Sequence, residues 1–288
     1  MRYKKVLVLG GNGMLGHVLF GTLTKEMSIR AFATSRKDVR SEEYYDPLVD
    51  IHHLDNLMQL YSPDYVINCI GKLVSESNKN LKDAIYINSF FPHYVEELCS
   101  RYNSHFYHIS TDCVFDGQKG PYDESSIPSS VDNYGKSKTL GEVLNSENAA
   151  TIRTSIIGPE VSNHKTGLFE WVRSLKEDKV KGYANVYWSG VTTVQLAMFL
   201  KTLIVDETRF IGLIHYGNGK CISKFDLLQL INKEFNLCKT IVPVDRPKYN
   251  KHLLVREKIA ELVPDYAEMI KEMSEWIKEK GHIYDPKN

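Results

Sequence analysis

A tyrosine and a lysine lie four residues apart in the stretch NYGKSK, the spacing of a catalytic pair. Residues i and i+4 are neighbours on a helix surface, so Tyr134 and Lys138 could meet the same ligand if this segment is helical. A phenol has a pKa of about 10 and is a poor proton donor at neutral pH. A neighbouring ammonium group stabilises the phenolate, and the pair could therefore donate a proton to a substrate oxygen.

The spacing alone does not identify the pair, because Tyr216 and Lys220 have it too, in YGNGK. The chain has 17 tyrosines and 36 Lys and Arg residues, so such pairs also arise by chance. Tyr134 follows a strand pattern, HFYHIST, that ends in hydroxyl side chains, whereas Tyr216 lies in a glycine-rich turn much later in the chain. Position therefore favours Tyr134 and Lys138 as the catalytic pair and makes the second pair a coincidence.

A glycine-rich turn follows the first apolar run, VLVLG, and has the spacing G-x-G-x-x-G. Glycines at this point allow a tight turn, close backbone approach to a pyrophosphate and close packing of helix on strand. Placed directly after a strand and before a helix, the motif predicts a dinucleotide site. The residues predicted to contact the cofactor here are Gly10, Gly11, Asn12, Gly13, Met14, Leu15 and Gly16.

The second predicted strand ends in ATSRKD. Enzymes that bind NAD usually place an acidic residue there for the ribose hydroxyls, but this chain has Ser35, Arg36 and Lys37. A hydroxyl and two cations suit a 2′-phosphate, so NADP is the predicted cofactor and NAD the alternative.

Short apolar runs alternate with helical patterns over residues 1–158. This alternation predicts an α/β fold, a doubly wound Rossmann-type parallel sheet with ligands beyond the carboxyl ends of its strands. Helices are expected at about 14–26, 53–61, 82–102 and 133–145. Residues 159–288 are predicted to form a smaller C-terminal substrate lobe, partly woven back into the dinucleotide-binding domain, with helices near 167–176, 191–203, 223–235 and 267–280.

The composition argues against several classes of partner. Lys+Arg and Asp+Glu are both 36, and a nucleic-acid-binding protein usually has a clear basic excess. The apolar runs are too short for a membrane span or a signal peptide, and five cysteines without C-x-x-C spacing read as reduced thiols, so we expect a cytoplasmic protein. No metal-ligand cluster is apparent. His105 and His108 are expected to be structural residues on opposite faces of one strand.

Several motifs together resemble the extended short-chain dehydrogenase/reductases, and most closely the dTDP-4-dehydrorhamnose reductase family. They are GGNGMLG, VINCIG, YINSFFP, STDCVFDG, YGKSKTLGE and RTSIIG, within about the first 160 residues. The resemblance implies an NADPH- or NADH-dependent reduction of the 4-keto group of a nucleotide-linked 6-deoxy sugar, in the synthesis of polysaccharide or surface-sugar precursors. A nucleotide sugar is then the expected small-molecule partner, with a homodimer left open.

The resemblance also assigns residues one by one. Thr111, Tyr134 and Lys138 become the catalytic group. Cofactor contacts beyond the turns above are implied for Asp50, Ile51, Cys69, Ile70, Gly71, Lys72, Asn88, Ser110, Tyr134 and Lys138. Substrate contacts are implied for Thr111, Asp112, Cys113, Tyr134 and Ile156, and Trp188 is a further expected substrate contact, chosen for its aromatic ring in the later lobe. This chain departs from the family in having Cys113 and Ile156 where its relatives have aromatic residues near the sugar.

Other functions stay open at this point. A sugar-nucleotide 4,6-dehydratase needs a glutamate after the aspartate of its T-D-E motif, and here Asp112 is followed by Cys113. A sugar-nucleotide 4-epimerase uses the same tyrosine and lysine. A non-catalytic regulatory subunit would keep the nucleotide fold, although an intact catalytic group argues against that role. In the later lobe, the cations of 163–181 with Tyr183, Tyr187 and Trp188 are expected to bind the diphosphate and base of a sugar nucleotide.

Overall fold

The computed structural model describes residues 3–37, 43–161, 165–246 and 249–284. The strands are β1 Lys4–Leu9, β2 Ile29–Ala33, β3 Tyr65–Asn68, β4 His105–Thr111, β5 Ala149–Thr154, β6 Ile156–Ile157, β7 Lys179–Tyr183, β8 Val186–Trp188, β9 Val191–Thr192, β10 Gly212–His215, β11 Ile222–Ser223, β12 Thr240–Val244 and β13 Tyr249–Asn250. The α-helices are α1 Gly16–Leu23, α2 His53–Tyr61, α3 Val74–Lys79, α4 Leu81–Ala84, α5 Phe91–Arg101, α6 Asn133–Leu140, α7 Leu168–Ser174, α8 Thr193–Val205, α9 Lys224–Glu234, α10 Glu257–Ala260, α11 Tyr266–Glu279 and α12 Gly281–Tyr284.

The central sheet has six parallel strands in the order β10-β5-β4-β3-β1-β2. Its inner strands are continuous apolar runs, and β3 is buried along its whole length, as expected for strands covered by helices on both faces. The strand order reverses between β1 and β3, and ligands of doubly wound sheets bind at such a reversal. The α/β fold predicted from the sequence is confirmed.

The chain divides into two compact units. Unit 1 comprises Met1–Phe115, Pro128–Arg153 and Ala197–Ile214, and it holds the central sheet. Unit 2 comprises Asp116–Ile127, Thr154–Leu196 and His215–Asn288. The separate ligand roles expected for residues 1–158 and 159–288 stay predictions.

Unit 2 contains small sheets, among them β11-β8-β13 and the parallel pair β12-β7. Helix α11 is the longest helix that lies entirely within unit 2. It is amphipathic and buries Met269, Ile270, Met273 and Trp276. Burial of this apolar face explains why a highly charged segment forms a stable helix.

Two of the predicted helices differ most from the structure. The helix expected at 82–102 is a continuous helical stretch in which a π-helical segment, Ile85–Phe90, separates α4 from α5. The helix expected at 133–145 ends at Leu140, because Gly141 follows as its cap. A Cβ at Gly141 would lie 1.8 Å from the carbonyl oxygen of Asn88, so only glycine allows this close approach of the two helices.

Candidate active site

The glycine-rich turn lies at the carboxyl end of β1, beside the reversal of strand order. Gly10 has a φ of +85°, and a Cβ there would lie 2.9 Å from Ile70 Cγ1. A Cβ at Gly16 would lie 2.1 Å from the carbonyl oxygen of Gly10, so α1 packs directly on the turn. The first turn of α1 has no side-chain cap. Its backbone N–H groups and helix dipole therefore suit an anion such as a pyrophosphate.

The tip of β2 carries the residues predicted to select NADP. The Asn12 amide donates to Ser35 Oγ, and so does the backbone N–H of Lys37, at 3.0 Å. The glycine turn is thereby joined to this tip. Arg36 is exposed and lies 3.7 Å from an Asp46 carboxylate oxygen. An exposed ion pair of this length is weak, so the guanidinium can turn toward a phosphate.

The two residues predicted to contact adenine have different surroundings. Asp50 is exposed, and its Oδ1 accepts the backbone N–H groups of His52 and His53 at 3.0 and 3.3 Å. Ile51 is buried in the hydrophobic core under the sheet, where its carbonyl accepts the Tyr45 hydroxyl at 3.3 Å. Both therefore help to begin α2, and their contact with adenine stays a prediction.

The tip of β3 is connected to α6 through one asparagine. Asn88 Oδ1 accepts the backbone N–H of Lys72 at 2.8 Å, and its Nδ2 donates to the Lys72 carbonyl at 2.9 Å. The same Nδ2 lies 3.0 Å from Ser137 Oγ, which donates to the Tyr134 carbonyl. Asn88 lies in the π-helical segment, a kind of bulge that recurs at functional sites. Its amide thus holds the segment Cys69–Lys72 against the helix of the candidate pair.

The remaining residues of this tip are close to the glycine turn. The Cys69 backbone N–H donates to the Leu9 carbonyl at 3.0 Å, and Gly71 is exposed. Burial raises the pKa of the Cys69 thiol to about 12, although the charge of Lys138 acts in the other direction. The thiol therefore stays protonated, and it is a packing group rather than a nucleophile. The Lys72 ammonium donates to Glu76 at 3.2 Å.

The Thr111 side chain lies close enough to the Tyr134 hydroxyl to influence its pKa. Thr111 Oγ1 also accepts the Cys113 backbone N–H at 3.1 Å and donates to Asp112 Oδ1 at 3.2 Å. Burial raises the pKa of Tyr134, and Cys113 adds to this effect, while the hydrogen bond with Thr111 lowers it.

Gly135, next to the tyrosine, is a close-packing residue that helps to place α6 and that sequence reasoning missed. A Cβ there would lie 2.1 Å from both the Cys113 carbonyl oxygen and Ser130 Oγ. Any larger residue would push α6, and with it Tyr134, away from the end of β4. The adjacent letters Y-G in the motif were the available signal.

Lys138 is buried on α6 and has two partners on β4. Its Nζ donates to the Ile109 carbonyl at 2.8 Å and lies 3.3 Å from His108 Nε2. Burial lowers the pKa of Lys138 to about 8, although the Glu142 carboxylate and the neighbouring Cys69 act to raise it. Near neutral pH the side chain is therefore an ammonium that loses its proton readily.

A buried ion pair lies behind this lysine. Arg153 Nε and Nη2 donate to the two carboxylate oxygens of Glu142 at 2.7 and 2.6 Å. Ser110 Oγ donates to the same carboxylate at 2.7 Å, and the Arg153 guanidinium lies over the Phe115 ring at 5.2 Å. The Ser110 hydroxyl thus joins β4 to the segment after α6, and its predicted cofactor contact stays a prediction. Sequence reasoning missed Glu142 and Arg153, whose signal was the pair of charges within apolar surroundings in YGKSKTLGE and TIRTS.

Ile156 and Trp188, predicted to contact the substrate, lie in unit 2. Ile156 is half-buried in β6, opposite Val191. Trp188 is buried, and its indole N–H donates to Ser155 Oγ at 2.8 Å. Its ring faces Tyr266 at 5.8 Å and the Lys224 ammonium at 5.1 Å. Trp188 is thus a packing residue in this structure, and both substrate contacts stay predictions.

The cations expected to hold a diphosphate occupy a stretch, 163–181, that begins outside the described residues. Within its described part, Lys165 and Arg173 lie 3.3 and 3.5 Å from the buried carboxylate of Glu170. Tyr183 has the Arg246 guanidinium over its ring at 4.8 Å. These groups pair within unit 2, and their contact with a sugar nucleotide stays a prediction.

The second tyrosine–lysine pair has a different setting. Tyr216 is fully buried in unit 2, where its hydroxyl lies 3.4 Å from the Gln195 carbonyl oxygen, and Lys220 is exposed. Burial raises the pKa of Tyr216. The pair therefore presents no shared face to a ligand.

Other kinds of site have no support in the described ranges. No group of three or more His, Cys, Asp or Glu is placed there to hold a metal ion. None of the helices described is long and apolar enough to cross a membrane. All five cysteines lie in the described ranges, and none forms a disulfide bond.

The arrangement in unit 1 can therefore do one kind of chemistry. An anion cradle lies at the strand reversal, and the ends of β3 and β4 place Thr111, Tyr134 and Lys138 beyond the carboxyl edge of the same sheet. A phenol with a hydroxyl partner and a neighbouring ammonium can donate a proton to a carbonyl oxygen.

Comparison with known proteins gives one family and several relatives. The model of the RmlD substrate binding domain family matches residues 4–281. The dTDP-4-dehydrorhamnose reductase of Aggregatibacter actinomycetemcomitans is 28% identical over 236 residues, which cover 77% of this chain and 76% of that protein. The methionine adenosyltransferase 2 subunit beta of Danio rerio is 27% identical over 248 residues, which cover 82% and 75%. Both similarities extend over most of the two chains compared.

A solved structure has the same fold. The dTDP-4-dehydrorhamnose reductase of Bacillus anthracis, in complex with NADP, has a TM-score of 0.79 at 22% identity and covers 96% of this chain and 99% of its own. The family match spans nearly the whole chain and agrees with the resemblance carried by the motifs. The chain therefore belongs to the RmlD substrate binding domain family.

Proposed function

We propose that the protein is an NADPH-dependent reductase of the 4-keto group of a nucleotide-linked 6-deoxy sugar, in the synthesis of polysaccharide or surface-sugar precursors. The observation that supports this most is the placement of Tyr134 and buried Lys138 one turn apart on α6, with Lys138 bonded to Ile109 of β4 and Thr111 beside Tyr134 at the end of that strand. The similarity to a dTDP-4-dehydrorhamnose reductase supports the substrate class.

The cofactor, when bound in the glycine turn, supplies a hydride to C4 of the sugar. The uncapped first turn of α1 would hold its pyrophosphate, and Arg36 with Ser35 would hold its 2′-phosphate. NADP is the proposed cofactor and NAD the alternative. The fit is supported by the close approach at Gly10 and Gly16, where a side chain would fill the space that the backbone needs.

The protein residues handle the proton. Tyr134 transfers its phenol proton to the C4 oxygen as the hydride arrives, so the carbonyl becomes a hydroxyl and the tyrosine a phenolate. Thr111 hydrogen-bonds the same substrate oxygen and then the phenolate. The Lys138 ammonium stabilises the phenolate and holds the nicotinamide ribose. Burial alone would keep Tyr134 protonated, so these partners must favour its proton release at the moment of reaction.

A second candidate function is that of a regulatory subunit. It is favoured by the similarity to the methionine adenosyltransferase 2 subunit beta, over about the same length of chain. The complete group of Thr111, Tyr134 and Lys138 favours the reductase. A 4-epimerase would use the same groups but would regenerate its cofactor in each cycle. We further propose a cytoplasmic location, because none of the five cysteines forms a disulfide bond, and leave a homodimer as a prediction.

The test is an incubation of the purified protein with a dTDP-4-keto-6-deoxy sugar and NADPH. The reductase oxidises one equivalent of NADPH for each sugar reduced. Interconversion of C4 epimers without loss of NADPH would identify an epimerase. Absence of turnover with both NADPH and NADH would favour the regulatory role. Tyr216→Phe is the matched control for Tyr134→Phe, because it removes the hydroxyl of the other tyrosine.

A further inference from the structure

Two buried polar side chains connect the backbone at the tip of β3 to the amine of Lys138. Asn68 ends β3 and stands directly opposite His108 in the parallel pairing of β3 with β4. Their exposed fractions are 1% and 0%. Because water cannot reach them, the direction of each hydrogen bond is set by the protein groups alone.

The orientation of the Asn68 amide is set by a backbone group. Its Oδ1 accepts the Ile70 backbone N–H at 2.9 Å. A flipped amide would place an NH₂ group against that N–H, two donors in contact. The Nδ2 of Asn68 therefore faces His108 Nδ1, at 3.2 Å, and acts as the donor.

The direction of this bond determines the tautomer of His108. Burial and the charge of Lys138 hold the pKa of His108 well below its ordinary value, so the ring is neutral. A neutral imidazole has one N–H, and Nδ1 must be the acceptor toward Asn68. The proton of His108 is therefore on Nε2.

His108 Nε2 lies 3.3 Å from Lys138 Nζ. An N–H group at Nε2 is satisfied there by a neutral amine, which has a lone pair, but not by an ammonium, which has only donors. With a protonated lysine, two donors therefore face each other either between His108 and Lys138 or, in the other tautomer, between Asn68 and His108. The Ile109 carbonyl, at 2.8 Å, accepts from Lys138 in either protonation state.

We propose that Asn68 and His108 are positioning residues that present an N–H donor to Lys138 and thereby favour proton release from this lysine. The proposal rests on the proposed role of Lys138 and deepens it. The lysine then alternates between ammonium and amine during turnover, and it can pass a proton to or from Tyr134 rather than serve only as a fixed charge.

Other titratable groups face the same lysine and act in the opposite sense. Glu142, after α6, and the Cys69 thiol, after β3, both raise the pKa of Lys138. The Glu142 carboxylate is held by Arg153 at 2.6 Å, which reduces its effect. His93 lies near enough to His108 to lower the pKa of that ring further.

The first test is the tautomer of His108 in the wild-type protein, by NMR of a sample labelled with ¹⁵N-histidine. The chain has 10 histidines, and His108→Gln identifies the resonances of interest. We expect a neutral ring with its proton on Nε2 across the pH range in which the fold is intact. A proton on Nδ1, or a charged ring near neutral pH, would overturn the proposal. The tautomer is measured in the wild-type protein and without substrate, and His108→Gln serves only to assign the resonances.

The second test is Asn68→Asp, which reverses the direction of the hydrogen bonds from residue 68 through His108 to Lys138 with little change in the shape of the side chain. The carboxylate can still accept the Ile70 N–H, but its other oxygen must accept from His108 Nδ1–H. Nε2 then becomes an acceptor for the Lys138 ammonium. With ¹³Cε-labelled lysine, we expect the Lys138 titration midpoint to rise by at least one pH unit. An unchanged midpoint in a protein whose His108 tautomer has reversed would refute the coupling.

A control separates the effect of the reversed hydrogen bonds from the effect of the added negative charge. In a His108→Leu background, Asn68→Asp adds the same charge without a connecting ring, and we expect most of the upward shift to disappear. An equal shift in both backgrounds would assign the effect to charge alone and overturn the proposal. In a protein that reduces the sugar, the alkaline limb of kcat/KM moves with the midpoint. If the NMR results were as expected but the protein did not reduce the sugar, the proposed function would be refuted, while the hydrogen-bond chain from Asn68 to Lys138 would be supported.

Discussion

Lys138→Met should change how the stability of the protein depends on pH. Burial lowers the pKa of Lys138 from 10.5 to about 8, and each pKa unit corresponds to about 1.4 kcal/mol. Below about pH 8 the buried ammonium therefore destabilises the fold by about 3 kcal/mol. Methionine occupies a similar volume and has no charge, so the variant lacks this penalty.

The direction follows from the protons bound in each state. Between about pH 8 and pH 10.5 the unfolded lysine binds more protons than the folded one, so wild-type stability rises with pH in this window. The penalty is about 3 kcal/mol near pH 7 and falls to about 1 kcal/mol near pH 9.5. The stability difference between Lys138→Met and wild type should therefore shrink by about 2 kcal/mol over this interval.

The assay is urea unfolding of both proteins at the two pH values. Loss of the hydrogen bond to the Ile109 carbonyl affects the variant equally at both, so it cancels in the comparison. Lys136→Met, at an exposed position on the same helix, is the matched control and should show no such change. If the wild type and Lys138→Met had parallel pH profiles, the lysine would not be a destabilised buried ammonium, and the reasoning would fail.

Three other variants test separate parts of the site. Tyr134→Phe should lower kcat by about 10²–10⁴, the usual contribution of a positioned general acid, while Tyr216→Phe should leave kcat near the wild-type value. The measurement is steady-state kinetics with NADPH. Equal activity of the two variants would show that Tyr134 and Lys138 are not a catalytic pair. Arg36→Asp should narrow or reverse the preference for NADPH over NADH, measured as the ratio of kcat/KM values, and a wild type already better with NADH would contradict the assignment of this turn. Trp188→Ala should lower the free energy of unfolding by about 3–5 kcal/mol because it empties a buried indole site; near wild-type thermal stability would show that the ring is not packed as described.

The fold and the cofactor turn could be predicted because their signals are local. The apolar run of β1 and the glycines that follow it lie within a few residues of each other. The spacing of Gly10, Gly13 and Gly16 has a direct steric cause, which the structure shows at Gly16. The helical spacing of Tyr134 and Lys138 is local in the same way.

The polar network around the lysine could not be predicted in this way. Asn68 and His108 are 40 residues apart, and His108 and Lys138 are 30 apart. Their contact depends on strand register and helix placement, which no local pattern specifies. His108 was expected to be structural, and its contacts with Asn68 and Lys138 are the basis of the positioning role proposed above.

The buried position of Trp188 could not be predicted from the sequence either. Aromatic residues serve both packing and base stacking, and composition does not distinguish the two uses. The indole hydrogen bond to Ser155, 33 residues earlier, is visible only in the folded chain.

The most direct test of the proposed reduction is transfer of deuterium from NADPH labelled at both C4 positions of its nicotinamide to a dTDP-4-keto-6-deoxy sugar, followed by mass spectrometry. We expect a sugar nucleotide that carries one deuterium at C4 and one equivalent of NADP for each product molecule, with Tyr134→Phe far slower and Tyr216→Phe unaffected. A sugar nucleotide recovered without deuterium, or labelled at the same rate by the Tyr134→Phe protein, would contradict it.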